Sequence, residues 1–306
     1  MNFNCKKNQC TIADIISFSG IGLHSGNLCN VRLIPSAPDT GIVFIRKDLE
    51  SNNFIPADYK YIHKSNLCTT LKANNSNAKV ITVEHLLAAI KGNSIDNIKI
   101  EIDSQEIPIL DGSAKVFDDI IKKVGVAEQK NFFKKYLIVK KNISVQTKRS
   151  SFSITPSNYF QIECTVDFPD PIGKQTIKLG RNFSDIYNKV KGAKTFCYYE
   201  DIEMMKKNNL AKGGSLENAI VIKDGTILNS DFDNQTNYFA KHKTLDILGD
   251  LSLMNLNIIG KISVYFPGHE LNRLGMLEIF SSYDNYSIYQ YNKEQEFKSH
   301  DNMLFA

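Results

Sequence analysis

Two segments about half the chain apart repeat one order of elements, and this repeat constrains the fold more than any other feature of the sequence. The first reads EHLLAAIKG and then NIKIEI, and the second reads HKTLDILGD and then NIIGKISVYF. Each contains a histidine near the start of a helix, a loop with Asn-Ile and a strand. Two copies of one α+β unit would explain this order. Helix–loop–strand is also a common arrangement, so chance similarity is the alternative.

The composition restricts the class of protein. Of the 306 residues, 42% are hydrophobic and 23% are charged, which is typical of a globular protein with a large core. The net charge of +4 is small for this length and gives no support for binding to nucleic acid. We interpret the scattered lysine pairs as solvated faces. Nothing in the sequence demands a dimer, so we expect a monomer.

Signals for export or membrane insertion are not recognisable in the sequence. The first ten residues, MNFNCKKNQC, lack the apolar region of a signal peptide. No stretch approaches the roughly 18 apolar residues that span a bilayer. The six cysteines contain no CxxC pair, so we expect reduced thiols rather than a disulfide framework or a zinc ribbon. We therefore expect a cytoplasmic protein without a transmembrane segment.

The pattern of strands and helices restarts once along the chain. Residues 127–133 (AEQKNFF) resemble a connector, after which new strand patterns begin. We expect an N-terminal α+β domain at residues 1–127 and a C-terminal α+β domain at 128–306.

The segment 241–253 is the most informative helix. His242, Asp246 and Asp250 lie at positions i, i+4 and i+8, so they share one stripe of the helix. A histidine and a carboxylate one turn apart can bind the same metal ion, although a polar stripe can also simply face water. Gly249 in this helix costs about 1 kcal/mol relative to alanine, which suggests close packing or a nearby ligand.

Glu84 and His85 begin another helix that is otherwise apolar. Two ionisable groups at this position are awkward to solvate, and a satisfied core histidine is one interpretation. In the other, His85 is a third metal ligand and Glu84 is a general base. Two histidines and one carboxylate form a typical set for a catalytic zinc, which keeps a fourth position open. We also expect Thr82 to cap this helix.

A third segment, PGHELN, follows a strand. His269 comes directly after Pro267-Gly268, where a side chain would be exposed and adjustable, as suits a proton donor. Asp250 could hold its ring and keep it protonated. His24 lies in the glycine-rich segment SGIGLHSG, which lacks the context of a phosphate loop and would at most line a site as a turn.

Five motifs occur in order along most of the chain: TVEHLLAAI, EIPILDGSA, KTF followed by GGSLENAIV, HKTLDILGDL, and GHELN. Together they resemble the UDP-3-O-acyl-N-acetylglucosamine deacetylase family of lipid A biosynthesis. The resemblance implies a pair of similar α+β sandwiches with the site between them. It also implies a zinc-dependent hydrolase that removes the N-acetyl group of UDP-3-O-(3-hydroxyacyl)-N-acetylglucosamine, the committed step of that pathway.

The resemblance assigns roles to individual residues. The Zn²⁺ ligands would be His85, His242 and Asp246. The groups that take part in the chemistry would be Glu84 as the base, His269 as the acid with Asp250 as its partner, Thr195 beside the oxyanion, and Lys243 as a nearby positive charge. Residues 196–221 would form an apolar tunnel for the acyl chain. The expected substrate contacts are Leu67, Cys68, Phe168 (on uracil), Phe196, Tyr198 and Ile202, and Met204 and Met205 would also suit the tunnel wall.

Two departures from the family pattern concern nucleotide binding. Lys194 stands where an arginine is usual, which loses bidentate geometry. Phe266 stands where some members have a basic residue. Two other functions remain open: a metal or nucleotide-sugar binding protein without catalysis, and a zinc amidohydrolase for a different N-acyl substrate. Glu84 and His269 argue against a pure binder, because binding needs neither a base nor an acid.

Overall fold

The computed structural model describes residues 7–63, 67–74, 76–233 and 235–291. The start of the predicted N-terminal domain, residues 1–6, and the end of the predicted C-terminal domain, residues 292–306, lie outside the described residues. Among the described residues, none of the helices combines the length and the apolar character that a membrane span requires. The described cysteines Cys29, Cys164 and Cys197 are free thiols.

The described part of the first half of the chain contains ten strands, two α-helices and a short 3-10 helix. The strands are β1 (Asn8–Ile12), β2 (Ile16–Ile21), β3 (Leu28–Pro35), β4 (Ile42–Arg46), β5 (Phe54–Pro56), β6 (Ile62–His63), β7 (Thr70–Lys72), β8 (Lys79–Ile81), β9 (Ile98–Ile102) and β10 (Val126–Phe133). The helices are α1 (Glu84–Gly92) and α2 (Lys115–Val124), and the 3-10 helix is Tyr59–Tyr61.

The second half contains the remaining described elements. Its strands are β11 (Lys135–Val139), β12 (Ile143–Gln146), β13 (Ser151–Thr155), β14 (Phe160–Asp167), β15 (Lys174–Arg181), β16 (Phe196–Tyr198), β17 (Ile220–Lys223), β18 (Thr226–Ile227), β19 (Asn257–Ile259), β20 (Lys261–Tyr265) and β21 (Tyr286–Gln290). Its helices are α3 (Phe183–Val190), α4 (Tyr199–Lys207), α5 (Tyr238–Ser252) and α6 (His269–Ile279).

The two halves contain five-stranded sheets of the same design. Their strand orders are β2-β3-β9-β4-β5 and β12-β13-β20-β14-β15. In each sheet the third strand pairs antiparallel with the second and parallel with the fourth. Ile100 of β9 and Ile262 of β20 lie on these central strands, and both are fully buried. The predicted α+β class with two similar units is confirmed.

Alternating burial explains the central strands. In β3 the side chains of Cys29, Val31 and Leu33 face the core, and the residues between them are exposed. Helix α2 presents Phe117 and Ile121 to the core, and Gly125 ends it at a φ of 81°. One continuous hydrophobic core joins residues of both sheets and of helices α1 and α5.

The expectation of a connector at residues 127–133 is wrong, because these residues form strand β10. This strand pairs antiparallel with β1, and the side-chain amide of Asn97 donates to Gln129 Oε1 at 2.7 Å. Its partner lies more than a hundred residues away in the sequence, so local composition gives little sign of it. The domain boundary at 127/128 falls inside β10 and stays a prediction.

Candidate metal and catalytic site

The packing of α1 against α5 brings the ionisable residues of both helices together. Gly249 makes this packing possible, because a Cβ there would lie 2.2 Å from the backbone oxygen of Glu84. The close packing suggested by this glycine is therefore confirmed. Thr82, by contrast, does not cap α1: its hydroxyl donates to Glu106 Oε1 at 2.9 Å, and Val83 occupies the cap position.

His85, His242 and Asp246 form a buried cluster. One ligand atom from each lies within 4.8 Å of the others, and all three residues are at most 5% exposed. The Nε2 atoms of His85 and His242 each lie 3.4 Å from Asp246 Oδ1. Tetrahedral zinc with bonds of about 2.0–2.1 Å would separate its ligand atoms by roughly 3.3 Å. The donor set and its spacing therefore fit zinc.

Hydrogen bonding and burial keep the His242 ring ready for a metal. Its Nδ1 donates to the carbonyl oxygen of Ala193 at 3.1 Å, which leaves Nε2 as the nitrogen that faces Asp246. Burial lowers the pKa of His242 to about 4, despite the Asp246 carboxylate. The His85 ring offers a further buried nitrogen, because its Nδ1 has no hydrogen-bond partner among the described residues.

The Asp246 carboxylate is held ionised. Burial opposes its charge, but His242, Lys243 and a hydrogen bond with His85 hold the pKa of Asp246 well below its usual range. Lys243 Nζ donates to Asp246 Oδ2 at 2.6 Å. Although burial disfavours a charged lysine, Asp246 raises the pKa of Lys243. The structure thus places the predicted positive charge directly beside the cluster of His85, His242 and Asp246.

Glu84 and His269 lie next to this cluster and face each other. His269 Nε2 lies 3.5 Å from Glu84 Oε1, and His269 Nδ1 donates to Asp250 Oδ2 at 2.9 Å. Burial raises the pKa of Glu84, although His269 and His85 oppose the shift. Burial alone would lower the pKa of His269, but Asp250 and Glu84 raise it to about 9. The raised pKa makes the Glu84 carboxylate a better proton acceptor. The His269 imidazole is kept charged.

His269 is less accessible than the glycine-containing turn suggested. It is the first residue of α6, and its side chain is 12% exposed. The expectation of an exposed, adjustable side chain is therefore wrong. The neighbouring helices enclose this ring and supply carboxylates on both sides.

Thr195 lies on the segment that holds His242. Its backbone N–H donates to Gly112 O, and its carbonyl oxygen accepts from Ile220 N, both at 2.8 Å. Gly112 has a φ of +82°, and a Cβ there would lie 1.9 Å from Asn218 O. The DGS segment of one motif thus packs directly against the ENA segment of another.

Aromatic rings continue from the cluster towards β14. The Phe196 ring centroid lies 5.8 Å from that of His242 and 5.3 Å from that of Phe168. Phe168 in turn packs on Phe266, with centroids 4.9 Å apart. The guanidinium carbon of Arg149 lies over the Phe266 ring, 5.5 Å from its centroid. Lys194 Nζ instead donates to Glu217 O at 2.8 Å.

The predicted acyl-binding insert, residues 196–221, contains β16, α4 and the start of β17 in that order. Strand β17 is the middle strand of the small sheet β16-β17-β18. A separate apolar cluster supports the sheet, with Phe168, Phe196 and Tyr198 packed against it. Tyr198 donates its hydroxyl to Pro169 O at 3.0 Å. In α4, Ile202 and Met205 are half-buried and Met204 is 62% exposed. The three α4 residues that were expected to line an acyl tunnel thus differ widely in exposure.

Cys68 lies at the site, and Leu67 precedes it in the chain. Leu67 is 46% exposed, whereas Cys68 is 6% exposed and borders a small cavity with Asp250 and His269. Burial raises the pKa of the Cys68 thiol to about 12. This cysteine is therefore a neutral wall residue at ordinary pH.

Two residues near the site had weak or no signals in the sequence. His24 is 5% exposed, and neither ring nitrogen has a hydrogen-bond partner among the described residues. Burial lowers the pKa of His24, and the charge of His269 contributes to this shift. Thr69, adjacent to Cys68, contacts Glu84, Asp250 and His269. Nothing in its local sequence distinguishes it.

Comparisons with known proteins agree with the motifs. The LpxC family model, described as UDP-3-O-acyl N-acetylglycosamine deacetylase, matches residues 9–281. A protein of Myxococcus xanthus is 40% identical over 92% of this chain and 89% of its own length. One from Haemophilus influenzae is 41% identical over 86% and 87%, and one from Shewanella violacea is 37% identical over 94% of both. All three are named UDP-3-O-acyl-N-acetylglucosamine deacetylase.

Proposed function

The chain belongs to the family of UDP-3-O-acyl-N-acetylglucosamine deacetylases, and we propose that it is a zinc-dependent hydrolase acting on such a substrate. The reaction would remove the N-acetyl group of UDP-3-O-(3-hydroxyacyl)-N-acetylglucosamine and release acetate and a free amine. It would be the committed step of lipid A biosynthesis. The observation that carries this proposal is the meeting of His85, His242 and Asp246 beside Glu84 and His269.

In this proposal His85, His242 and Asp246 hold the zinc. When bound, zinc supplies a Lewis acid that polarises a carbonyl oxygen and lowers the pKa of a water molecule to about 7. Lys243 keeps Asp246 ionised and adds positive charge beside the reacting oxygen. Thr195 would donate its hydroxyl to the same oxygen as negative charge develops there.

Glu84 and His269 divide the proton transfers. Glu84 accepts a proton from the water while the water oxygen bonds to the acetamide carbon. The raised pKa of the Glu84 carboxylate helps this role. His269 donates its Nε2 proton to the sugar nitrogen as the carbon–nitrogen bond breaks, so that the nitrogen leaves as a neutral amine. Asp250 holds Nδ1 of this ring and favours its charged form.

The substrate contacts follow from the same geometry. Phe196 and Phe168 extend from His242, and a planar base can stack on such rings. Tyr198 and Ile202 lie further along the insert, and we propose that they contact the acyl chain. Leu67 and Cys68 would bound the opposite side of the sugar. Whether the Lys194 and Phe266 departures weaken nucleotide binding stays an open prediction.

The test is release of free amine from UDP-3-O-(3-hydroxyacyl)-N-acetylglucosamine by the purified chain. We expect a chelator to abolish turnover and added zinc to restore it. A series of substrates with different acyl lengths should show a clear optimum if the insert binds the chain. Absence of turnover in protein with bound zinc would instead favour another N-acyl substrate or a binding protein.

Three further expectations stay predictions. They are a monomeric chain, a cytoplasmic location and the absence of nucleic-acid binding.

A further inference from the structure

Thr69 contacts three polar side chains of the site, although no motif in the sequence distinguishes it. It lies just before β7 and is 3% exposed. Its backbone N–H donates to Glu84 Oε2 at 3.1 Å. Its hydroxyl donates to Asp250 Oδ1, and its Oγ1 lies 3.0 Å from His269 Nδ1. The three partners belong to α1, α5 and α6, so one threonine links all three helices.

The proton of the Thr69 hydroxyl can point to only one of its two side-chain partners. A carboxylate oxygen only accepts, so the contact with Asp250 Oδ1 requires this proton. The lone pairs of Oγ1 then face His269 Nδ1, and that contact is attractive only when Nδ1 carries a hydrogen. The Nδ1–H also reaches Asp250 Oδ2 at 2.9 Å. The hydroxyl and the carboxylate thus share one N–H.

This arrangement decides which nitrogen of His269 can exchange a proton. Because Nδ1 is held by two acceptors, Nε2 is the nitrogen left to face Glu84, 3.5 Å away. A flip of the ring about its Cβ–Cγ bond would put Cδ2 in the place of Nδ1 and break both contacts of Nδ1. The Asp250 carboxylate is fixed at the same time, since Asn272 Nδ2 donates to its Oδ2 at 2.7 Å and Thr69 donates to its Oδ1.

We propose that Thr69 is a positioning residue that fixes the orientation and tautomer of the general acid His269 through Asp250. This inference rests on the proposed function, because it is the deacetylation that gives His269 its role as an acid. The Thr69 hydroxyl does not touch the reacting atoms. It acts by holding Nδ1 as the permanent donor and by aiming Nε2 at the leaving nitrogen.

The direct test replaces the hydroxyl and keeps the shape, as in Thr69→Val. We expect kcat to fall about 10- to 100-fold, the range caused by small misplacement of a catalytic group, with KM and zinc content close to wild type. Thr69→Ser should stay within about threefold of wild type, because serine supplies the same hydroxyl. If the valine variant does not fold, Thr69→Ala against Thr69→Ser isolates the same group.

Thr70→Val is the matched control. Thr70 is the next residue, is 5% exposed, and its hydroxyl lies 3.9 Å from Cys68 Sγ rather than beside a carboxylate or an imidazole of the site. We expect its kcat to stay within about twofold of wild type. An equal loss in both valine variants would mean that a buried hydroxyl matters only for packing, and this would overturn the proposal.

A double variant separates positioning from general damage. If Thr69 acts through His269, adding Thr69→Val to His269→Ala should lower kcat by less than about twofold further, because the acid is already gone. An independent loss that multiplies with that of His269→Ala would contradict the proposal.

A readout without turnover separates this inference from the proposed function. In ¹⁵N NMR spectra of the metal-free protein, His269 Nδ1–H should be protected from exchange in the wild type and lose protection in Thr69→Val. The wild type could bind zinc and lack turnover while the metal-free wild type and Thr69→Val proteins still differ in this protection. That result would refute the deacetylase and leave the positioning role intact. Unchanged protection in the valine variant would refute the positioning role, whatever the activity.

Discussion

His242 and His269 lie in one buried site but are held in opposite protonation states. His242 Nδ1 faces a carbonyl oxygen, and burial lowers its pKa to about 4. His269 is also buried, yet Asp250 and Glu84 raise its pKa to about 9. A neutral imidazole can bind a metal, and a charged one can donate a proton. The different partners of the two rings are what separate the two roles.

The titration of His269 should be directly visible in the metal-free protein. We expect its ring signals in NMR spectra to titrate near pH 9. Because this folded-state pKa lies above the ordinary value of about 6.5, the charged ring adds stability that is complete below that value and is lost as the pH rises through 9. In Asp250→Asn the pKa should fall towards the ordinary value. A wild-type value at or below 6.5 would contradict this account.

At the scale of elements, the crossing of α1 and α5 builds the site. The i, i+4, i+8 stripe predicted which side chains of α5 face the site, because helical periodicity is a local property. The depth of the crossing was signalled only by Gly249. The partners of that stripe on α1 and α6 were suggested by motifs, since distances between helices are not encoded in local periodicity.

Gly249→Ala tests this crossing. Alanine normally stabilises a helix by about 1 kcal/mol relative to glycine. Here the new Cβ would lie 2.2 Å from Glu84 O, so we expect the free energy of unfolding to fall by about 2 kcal/mol or more, with loss of zinc affinity. Urea denaturation of the metal-free protein measures the first effect.

Gly192→Ala is the control for that substitution, because a Cβ at Gly192 meets nothing within 4 Å. Its free energy of unfolding should change by less than about 1 kcal/mol. A Gly249→Ala protein that is as stable as wild type would show that the two helices can separate without cost.

At the scale of the whole molecule, a buried ionic cluster joins the two halves away from the metal site. Asp96, after α1, accepts from Lys134, which lies between β10 and β11, and Lys91 Nζ lies 3.3 Å from the same carboxylate. Both lysine side chains are at most 6% exposed. Burial opposes the charge of Asp96, but the two lysines hold its pKa below the usual range.

Asp96→Asn should therefore destabilise the entire fold. Two buried lysines would lose their carboxylate, and we expect the free energy of unfolding to fall by about 3 kcal/mol. The exposed pair Lys141–Asp284, at 3.1 Å, provides the control: Asp284→Asn should cost less than about 1 kcal/mol. Equal effects of the two substitutions in urea denaturation would rule out a special role for the buried cluster.

The repeat of helix and strand predicted the class of the whole fold, and the two matching sheets bear it out. Strand β10 was missed because its pairing with β1 joins residues far apart in the sequence. Thr69 was missed for the same reason, since its partners Asp250 and His269 lie 181 and 200 residues away. The burial of His269 likewise depends on neighbours that no local turn signal reveals.

We propose that His85, His242 and Asp246 bind the zinc while His269 serves the chemistry beside it. Metal analysis of the purified wild type, His242→Ala and His269→Ala tests it most directly. We expect about one zinc per chain in the wild type and in His269→Ala, with turnover in the latter reduced about 10²- to 10⁴-fold. His242→Ala should lose the metal. Full zinc content in the His242→Ala protein would contradict the ligand assignment.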